Sequence, residues 1–280
     1  MTISKEATSR TVQTRDWKIH YHEAGSGHPL ILLHGSGPGA TGWSNFSGNM
    51  AGLAAHFRVL AVDMPGWGAS DPCPVERMNH VDATVQFMDA LGIDKAAVIG
   101  NSMGGVNAVR LAVVHPQRVS HLITMGAVAS RGPKLFGAGD GPSEGLKHLV
   151  EAYRTPSADS MRRLVEIMCF DKAFANDDLC RARSEAASAQ PEHLQNFLAG
   201  LTKGGPVPQI ASFDEIMTIK APALLIHGRD DRVVHYENSL QLVAHIPNSR
   251  LVLINRCGHW AMIEHAEEFN RLVIDFVKHS

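Results

Sequence analysis

The sequence predicts an α/β fold, a mostly parallel sheet with helices on both faces that is interrupted by an inserted helical segment. Short apolar strands alternate with helical patterns near both ends of the chain, which is typical of a parallel sheet covered on both sides. From about residue 132 to residue 212 the composition shifts to Gly, Pro and polar residues followed by helical patterns, and no strand is evident. We therefore expect two core segments, 1–132 and 213–280, and a helical lid at 133–212.

In the first core segment, apolar periodicity and breaks at glycine and proline indicate the elements in order. Two strands joined by a turn precede a buried apolar strand and a second core strand. A helix, a short strand, a further helix and a final strand follow. The predicted strands are 11–14, 17–23, Pro29–Leu33, Arg58–Val62, 96–99 and Val119–Met125, and the predicted helices are 76–91 and one that ends near 115.

The same reasoning predicts the rest of the chain. The insertion should contain helices at 146–153, 157–168, Asp177–Ser188 and 191–201. The second core segment should contain a strand at 223–227, a helix at 238–245, a strand at 251–254 and a closing amphipathic helix at 266–278. A ligand site in such a sheet lies beyond the carboxyl ends of its strands.

Composition argues against several classes of protein. The net charge of −2 and the pI of about 6.8 give no electrostatic reason to bind nucleic acid or an anionic membrane. The first 28 residues lack the apolar core of a signal peptide, and later apolar runs are too short to span a bilayer, so we expect a soluble, cytoplasmic protein. The four cysteines form no C-x-x-C pair and should be free. His20-Tyr21-His22 lacks a third ligand, so no metal site is expected.

A candidate nucleophile lies in the string Gly100-Asn101-Ser102-Met103-Gly104. This G-x-S-x-G motif follows a predicted strand and precedes a helix, where a serine sits on a sharp turn with its hydroxyl exposed. Flanking glycines allow close backbone approach, and the N–H of Met103 would face developing negative charge at the helix N-terminus. A glycine-rich turn with an incidental serine is the alternative, and the strand and helix around the motif make it less favoured.

A serine hydroxyl needs a base, and the base needs an acid that holds it in the right tautomer. His259 lies in the loop after the last predicted strand, where it can reach across the strand ends. Two adjacent acids, Asp230 and Asp231, follow the strand before it. We favour Asp231 because it lies three residues after Gly228, in a G-x-x-D turn; Asp230 would then be a solvent-facing or loop-bracing neighbour.

A glycine-rich loop, His34-Gly35-Ser36-Gly37-Pro38-Gly39, follows the first long apolar strand. Its exposed N–H groups could stabilise an oxyanion beside Ser102, with Ser36 or Gly37 as the second donor. A phosphate-binding turn is the alternative, but neither G-x-x-x-x-G-K-[ST] nor G-x-G-x-x-G occurs here.

In order along the chain, these motifs resemble the α/β-hydrolase fold over nearly the whole sequence. A narrower resemblance is to the meta-cleavage-product hydrolases, bacterial carbon–carbon bond hydrolases of aromatic degradation. It rests on five strings, His34-Gly35-Ser36-Gly37-Pro38-Gly39-Ala40, Trp43-Ser44-Asn45, Gly100-Asn101-Ser102-Met103-Gly104-Gly105, His227-Gly228-Arg229-Asp230-Asp231-Arg232 and Cys257-Gly258-His259-Trp260. It extends to the insertion, where Arg183 lies seven residues before Gln190-Pro191-Glu192-His193-Leu194.

The resemblance implies the substrate and the chemistry. The substrate would be a 2-hydroxy-6-oxohexa-2,4-dienoate, hydrolysed to a 2-hydroxypenta-2,4-dienoate and a carboxylic acid. The dienol would first become a ketone, and His259 would move that proton before it activates Ser102 or water. No cofactor is implied, and the enzyme would be a homodimer or larger homo-oligomer. Whether an acyl-enzyme forms, and whether the C6 substituent is aryl or alkyl, stays open.

The resemblance also implies a polar pocket for the substrate carboxylate and 2-oxygen, formed by Arg183, Asn101, Asn45 and Trp260. An arginine suits a carboxylate because its planar fork binds both oxygens. From the residues alone, Arg183 is better interpreted as an exposed helix residue, and Trp260 could equally be core packing. A carboxylesterase would use the same triad, so the acid pocket is the feature that distinguishes the two enzymes. A non-enzymatic receptor on the same scaffold would not need the triad for binding.

Overall fold

The computed structural model describes residues 3–129, 142–202 and 210–280. Its described strands form one eight-stranded sheet in the order β1-β2-β4-β3-β5-β6-β7-β8. β1 pairs with β2 and β2 with β4 antiparallel, and the other neighbours are parallel. The predicted mostly parallel α/β fold is thus confirmed. The strands are β1 Ser9–Gln13, β2 Lys18–Ala24, β3 Pro29–Leu33, β4 Arg58–Val62, β5 Ala96–Asn101, β6 Val119–Met125, β7 Ala223–Gly228 and β8 Ser249–Ile254.

Every helix expected from the sequence is present in the described ranges, Asp177–Ser188 with the predicted ends and the others with shifted ends. They are α1 Lys5–Thr8, α2 Gly42–Ala54, α3 His80–Ala90, α4 Met103–Val114, α5 Glu144–Arg154, α6 Ala158–Met168, α7 Asp177–Ser188, α8 Pro191–Thr202, α9 Phe213–Ile216, α10 Glu237–His245, α11 Ala261–Glu264 and α12 Ala266–His279. Short 3₁₀ turns occur at Val75–Arg77, Pro116–Arg118 and Lys172–Phe174. None of the described helices is long and apolar enough to cross a bilayer.

Two differences from the predicted helices have local causes. The helix expected from residue 76 begins at His80, because the Asn79 side chain accepts the N–H of Asp82 and caps it there. Helix α2 was not predicted at all. It begins with a capping box, in which the Thr41 side chain accepts the N–H of Ser44 and the Ser44 side chain accepts the N–H of Thr41. The third helical position of this signal is usually Glu or Gln, so the serine found here does not match the pattern.

The central strands form the core and place their carboxyl ends side by side. Every residue of β5 and β7 is buried, as are Leu30 to Leu33 of β3. In the register, Leu33 of β3 lies beside Gly100 of β5, and Asn101 lies beside Met125 of β6. The loops that follow β3, β5, β6, β7 and β8 therefore meet at one edge of the sheet.

Helices α5 to α8 lie between β6 and β7 in the chain. The predicted boundary between residues 132 and 133 falls outside the described residues. All four cysteines are buried and unpaired, as predicted.

One buried histidine links the fold to pH. His80 Nε2–H donates to the carbonyl of Pro65 at 3.0 Å, beneath the turn after β4. Burial lowers the pKa of His80 from 6.5 to about 4, so between these values the unfolded chain binds a proton that the folded protein does not. The free energy of unfolding should therefore fall as the pH falls through this window, by about 1.4 kcal/mol per pH unit from His80.

Urea unfolding between about pH 7 and pH 5 checks this expectation. The variant His80→Gln keeps a hydrogen-bond donor but cannot titrate. The slope of its unfolding free energy against pH should therefore be smaller than the wild-type slope by the contribution of about one proton. His56→Gln, at an exposed position, should keep the wild-type dependence. Equal dependence in His80→Gln and the wild type would contradict the expectation.

Candidate active site

Ser102 sits on a tight turn between β5 and α4. Its backbone has φ of 53° and ψ of −116°, a conformation that L-residues rarely adopt. The turn is closed by close backbone approach, since a Cβ on Gly100 would lie 2.2 Å from the Gly104 carbonyl oxygen, and one on Gly104 would lie 2.2 Å from the Leu33 carbonyl oxygen. The glycines of the motif are therefore required by packing, and Ser102 is forced outward at the head of α4.

The side chain of Ser102 is half-buried and lines a cavity of about 10 Å³, which is room for about one water molecule. Its hydroxyl makes no hydrogen bond to any other described residue. The cavity is lined by Gly35, Ser36, Gly37, Ala40, Asn45, Asn101, Ser102, Leu149, Met168, Arg183, His259 and Trp260. Seven of the residues expected at the site from the sequence thus lie together with Ser102.

His259 and Asp231 form a buried pair, with His259 Nδ1 2.7 Å from Asp231 Oδ2. The other carboxylate oxygen, Oδ1, accepts the N–H groups of Val233 and Val234 at 2.8 and 2.9 Å. Burial alone would raise the pKa of Asp231, but the charge of His259 and hydrogen bonds from His227 and His259 outweigh it and hold that pKa well below its usual range. Asp231 is therefore ionised and fixes the His259 ring.

The neighbouring Asp230 is placed differently. Its N–H donates to the Cys257 carbonyl at 2.9 Å, and its Oδ1 lies 3.7 Å from the guanidinium of Arg229. Its other oxygen, Oδ2, is buried with no partner among the described residues. The geometry brings Asp231, and not Asp230, to His259.

Two residues beside this pair were not anticipated from the sequence. His227 Nε2 lies 3.1 Å from Asp231 Oδ2 and 2.8 Å from the Val234 carbonyl oxygen, so it donates to both. Gly126 has φ of 57°, and a Cβ there would lie 2.7 Å from His259 Nδ1. His227 is the last residue but one of β7 and precedes Asp231 by four residues, and this position is the signal that could have identified it.

The backbone of His259 is held from two sides. Its N–H donates to the Met168 carbonyl of α6 at 2.7 Å, and its carbonyl accepts Asn101 Nδ2 at 3.2 Å. Asn101 Nδ2 also lies 3.3 Å from the Met125 carbonyl oxygen, and Asn101 Oδ1 lies 3.5 Å from Asn45 Nδ2. The two asparagines thus lie at the site, and Asn101 links the nucleophile turn to the loop that carries His259.

The loop after β3 lies against the Ser102 turn. A Cβ on Gly35 would lie 2.9 Å from Asn101 Oδ1 and 3.3 Å from Ser102 Cβ. Among the described residues, the N–H groups of Ser36, Gly37 and Met103 have no hydrogen-bond acceptor, and Met103 is the first residue of α4. Three free N–H groups next to a serine hydroxyl can stabilise an oxyanion.

Arg183 is buried in α7, with 3% of its surface exposed. Its guanidinium lies 4.6 Å from the Trp260 ring centroid, and its Nη2 would be 3.5 Å from a Cβ on Gly37. It forms no ion pair with a described acid, and its Nε has no partner. Burial lowers the pKa of Arg183 to about 10, so the group stays charged at neutral pH. A desolvated cation that has no acidic partner in the described part of the chain can bind an anionic group of a ligand.

Three or more His, Cys, Asp or Glu side chains in metal-binding geometry do not occur in the described part of the chain.

Comparison with known proteins gives one family and a consistent set of relatives. A model of the α/β hydrolase fold matches residues 28–266. A 2-hydroxy-6-oxononadienedioate/2-hydroxy-6-oxononatrienedioate hydrolase from Dechloromonas aromatica is 40% identical over 99% of this chain and 98% of its own. A 2-hydroxy-6-oxo-6-phenylhexa-2,4-dienoate hydrolase from Burkholderia cepacia is 39% identical over 99% of this chain and 96% of its own.

Solved structures give the same grouping. A meta-cleavage product hydrolase from Pseudomonas fluorescens IP01 has a TM-score of 0.86 and 34% identity, covering 96% of this chain and 97% of its own. A 2-hydroxy-6-oxo-6-phenylhexa-2,4-dienoate hydrolase from Rhodococcus sp. strain RHA1 has a TM-score of 0.81 and 26% identity, covering 95% and 97%.

Proposed function

This chain belongs to the α/β hydrolases and, among them, to the meta-cleavage product hydrolases, and we propose that Ser102, His259 and Asp231 carry out its carbon–carbon bond cleavage. The substrate is a 2-hydroxy-6-oxohexa-2,4-dienoate. With one water it gives a 2-hydroxypenta-2,4-dienoate and a carboxylic acid. The observation that carries this proposal is the buried guanidinium of Arg183, which lines the same cavity as Ser102 and has no acidic partner among the described residues.

The substrate carboxylate binds Arg183, whose charge lacks a protein partner within the described residues. Binding supplies the missing counterion, so the cost of burying the cation is offset only in the complex. Asn45, Asn101 and Trp260 complete this end of the pocket. A plain ester hydrolase has no use for a desolvated cation beside its nucleophile, so the ester alternative is not favoured.

The reaction begins with proton transfer. His259 moves a proton from the 2-hydroxyl to C5, which converts the dienol to a ketone with a C3=C4 double bond. Asp231 holds the ring in the required tautomer and stabilises the imidazolium. The ketone is the electron sink that cleavage of a carbon–carbon bond requires.

Hydrolysis follows at C6. Ser102, or a water activated by His259, adds to the C6 carbonyl, and the N–H of Met103 together with that of Ser36 or Gly37 stabilises the oxyanion. When the C5–C6 bond breaks, its electron pair passes through C3=C4 to the 2-oxygen, which takes a proton as the enol. Where Ser102 is the nucleophile, water then hydrolyses the acyl-enzyme and releases the carboxylic acid; where water adds directly to C6, the cleavage itself releases the acid.

The segment 133–212 acts as a lid, since Leu149, Met168 and Arg183 from α5, α6 and α7 line the cavity. Leu149 and Met168 contribute apolar surface there for the C6 substituent. Leu135, an apolar residue of the same segment that the sequence also suggests for this contact, lies outside the described residues. The enzyme works in the cytoplasm, where four unpaired cysteines are stable. As the family resemblance implies, it is a homodimer or larger homo-oligomer.

Replacement of Arg183 tests the proposal. Arg183→Ala should lower kcat/KM for 2-hydroxy-6-oxo-6-phenylhexa-2,4-dienoate on the order of 10²- to 10³-fold, as expected for loss of one partner of a buried, hydrogen-bonded charge pair. Arg183→Lys should recover only part of this loss, because an ammonium cannot bind both oxygens in one plane. Hydrolysis of p-nitrophenyl butyrate, which carries no carboxylate, should change little. Loss of the yellow dienoate absorbance and release of nitrophenolate measure the two reactions.

Arg181→Ala is the matched control, because Arg181 lies on the same helix but is exposed and paired with Asp178. It should leave both activities near the wild-type values. If Arg183→Ala hydrolyses the dienoate as fast as Arg181→Ala does, the proposal that Arg183 binds the substrate carboxylate is wrong. Measuring kcat/KM of the wild-type enzyme for dienoates with phenyl, methyl and carboxyethyl groups at C6 will rank its preference for this substituent.

A further inference from the structure

We propose that Tyr153 of α5 is a positioning residue, whose hydroxyl orients the Ser36–Gly37 peptide so that the Gly37 N–H faces the reacting carbonyl. The inference rests on the proposed function, in which this loop supplies an oxyanion donor. It goes further by assigning the donor's orientation to a side chain of the lid.

The hydrogen bond from Tyr153 to the loop is partly buried and has the usual length for a hydroxyl donor. Tyr153 Oη lies 2.7 Å from the Ser36 carbonyl oxygen, which can only accept, so the hydroxyl donates. In a planar trans peptide the C=O of one residue and the N–H of the next point in opposite directions. Fixing the Ser36 carbonyl toward Tyr153 therefore directs the Gly37 N–H away from it, to the side where Gly37 lines the cavity with Ser102.

The preceding peptide is fixed in the same manner by the core. His34 Nε2 accepts the N–H of Met64 at 3.1 Å, so the proton of this ring is on Nδ1. His34 Nδ1–H then donates to the Gly35 carbonyl at 2.8 Å, which orients the N–H of Ser36. The two candidate donors are thus set by two different side chains, His34 from the core and Tyr153 from the lid.

The neighbours of Tyr153 leave its hydroxyl a single direction in which to donate. His193 Nε2 lies 3.0 Å from Tyr153 Oη, and because the phenol hydrogen is already used, His193 must donate to it. Burial lowers the pKa of His193 to about 3, and its Nδ1 is buried without a partner among the described residues. Both facts fit a neutral ring with its proton on Nε2.

Packing holds the phenol ring in place as well. The Tyr153 ring stacks on Phe197 of α8 with centroids 3.8 Å apart and planes 7° from parallel. Burial also raises the pKa of Tyr153 well above its usual value, so the hydroxyl stays protonated. The hydroxyl, its histidine partner and its stacking partner all belong to α5 and α8, so the orientation of the Gly37 N–H depends on these helices lying against the core.

The variant Tyr153→Phe removes the hydroxyl and keeps the stacked ring. Single-turnover stopped-flow spectroscopy separates ketonisation from carbon–carbon cleavage. Ketonisation forms no oxyanion at C6, so its rate should stay within about twofold of the wild type. Cleavage should slow by about 10- to 100-fold, less than the 10²- to 10³-fold typical when an oxyanion donor is removed altogether. KM should change little, because the substrate ground state does not need this N–H.

Two controls separate this role from a structural one. Tyr21→Phe removes a hydroxyl from a buried tyrosine of β2, and Gln190→Ala removes a different contact between the insertion and the core, the 2.7 Å bond from Gln190 Nε2 to the Gly68 carbonyl. Neither should slow cleavage selectively.

The outcomes distinguish the inference from the function on which it rests. A wild-type enzyme that fails to cleave the dienoate overturns the proposed function itself. If the wild type cleaves it and Tyr153→Phe cleaves equally fast, or slows both phases alike, the positioning role of Tyr153 is wrong. Equal selective slowing in Gln190→Ala would also overturn it, since lid docking in general would then be the cause.

Discussion

Replacing Ser102 with alanine is expected to lower kcat for dienoate hydrolysis by about 10⁴- to 10⁶-fold, the range seen when the serine of such a triad is removed. The physical reason is that Ser102 Oγ is the hydroxyl that the turn between β5 and α4 presents to the cavity. Alanine keeps the Cβ, and with it the same backbone conformation at φ of 53°, so the fold should be unchanged. Steady-state loss of the dienoate absorbance measures the effect, and the melting temperature reports on the fold.

Ketonisation and carbon–carbon bond cleavage should respond differently to this substitution. Proton transfer by His259 does not need the serine, so Ser102→Ala should still convert the dienol to the ketone in a single turnover. The ketone should then accumulate without cleavage. Cleavage by Ser102→Ala at more than about a hundredth of the wild-type rate would contradict a nucleophilic Ser102.

Replacing Asp231 with asparagine is expected to lower kcat by about 10⁴-fold, because the amide would present an N–H to His259 Nδ1 and force the wrong tautomer. The same amide would also face the N–H of His227, which donates to this oxygen in the wild type. The adjacent variant Asp230→Asn is the matched control. It makes the identical chemical change one residue away, at a side chain without a contact to His259, and kcat should stay within about threefold.

Steady-state kinetics of the two variants decide between the adjacent acids. A large loss in Asp230→Asn with a small loss in Asp231→Asn would reverse the assignment. Comparable losses in both would mean that the turn after β7, rather than one carboxylate, carries the effect.

The parts of the site that could be predicted from sequence are those fixed by local backbone. Ser102 and His259 each follow the end of a strand, and parallel strands bring such ends to one edge of the sheet. The glycines that the Ser102 turn requires are also local, because they lie within a few residues of Ser102 in the sequence. The prediction of the fold class succeeded because strand and helix periodicities are also local.

The other parts of the site, which could not be predicted from the sequence, depend on contacts between segments that are distant in the chain. From its sequence neighbours, Arg183 belongs on an exposed helix face, as Arg181 does. It is buried because α7 lies against the loop after β3, where a Cβ on Gly39 would be 2.8 Å from the Arg183 carbonyl oxygen. Tyr153 bonds a residue 117 positions away, and no periodicity indicates such a partner. Only the family resemblance pointed to Arg183, and nothing pointed to Tyr153.

The size of the cavity beside Ser102 has a consequence for binding. About 10 Å³ holds one water molecule, whereas sites for organic ligands usually enclose about 300–1,000 Å³. The part of the cavity that the described residues line is therefore smaller than a dienoate, so a bound substrate either extends beyond these residues or selects a wider conformer. In the second case the apparent dissociation constant is the intrinsic one divided by the fraction of molecules in the wider conformer. A substitution on the outer face of α5 or α8 that shifts this fraction would change affinity without touching any group that meets the substrate.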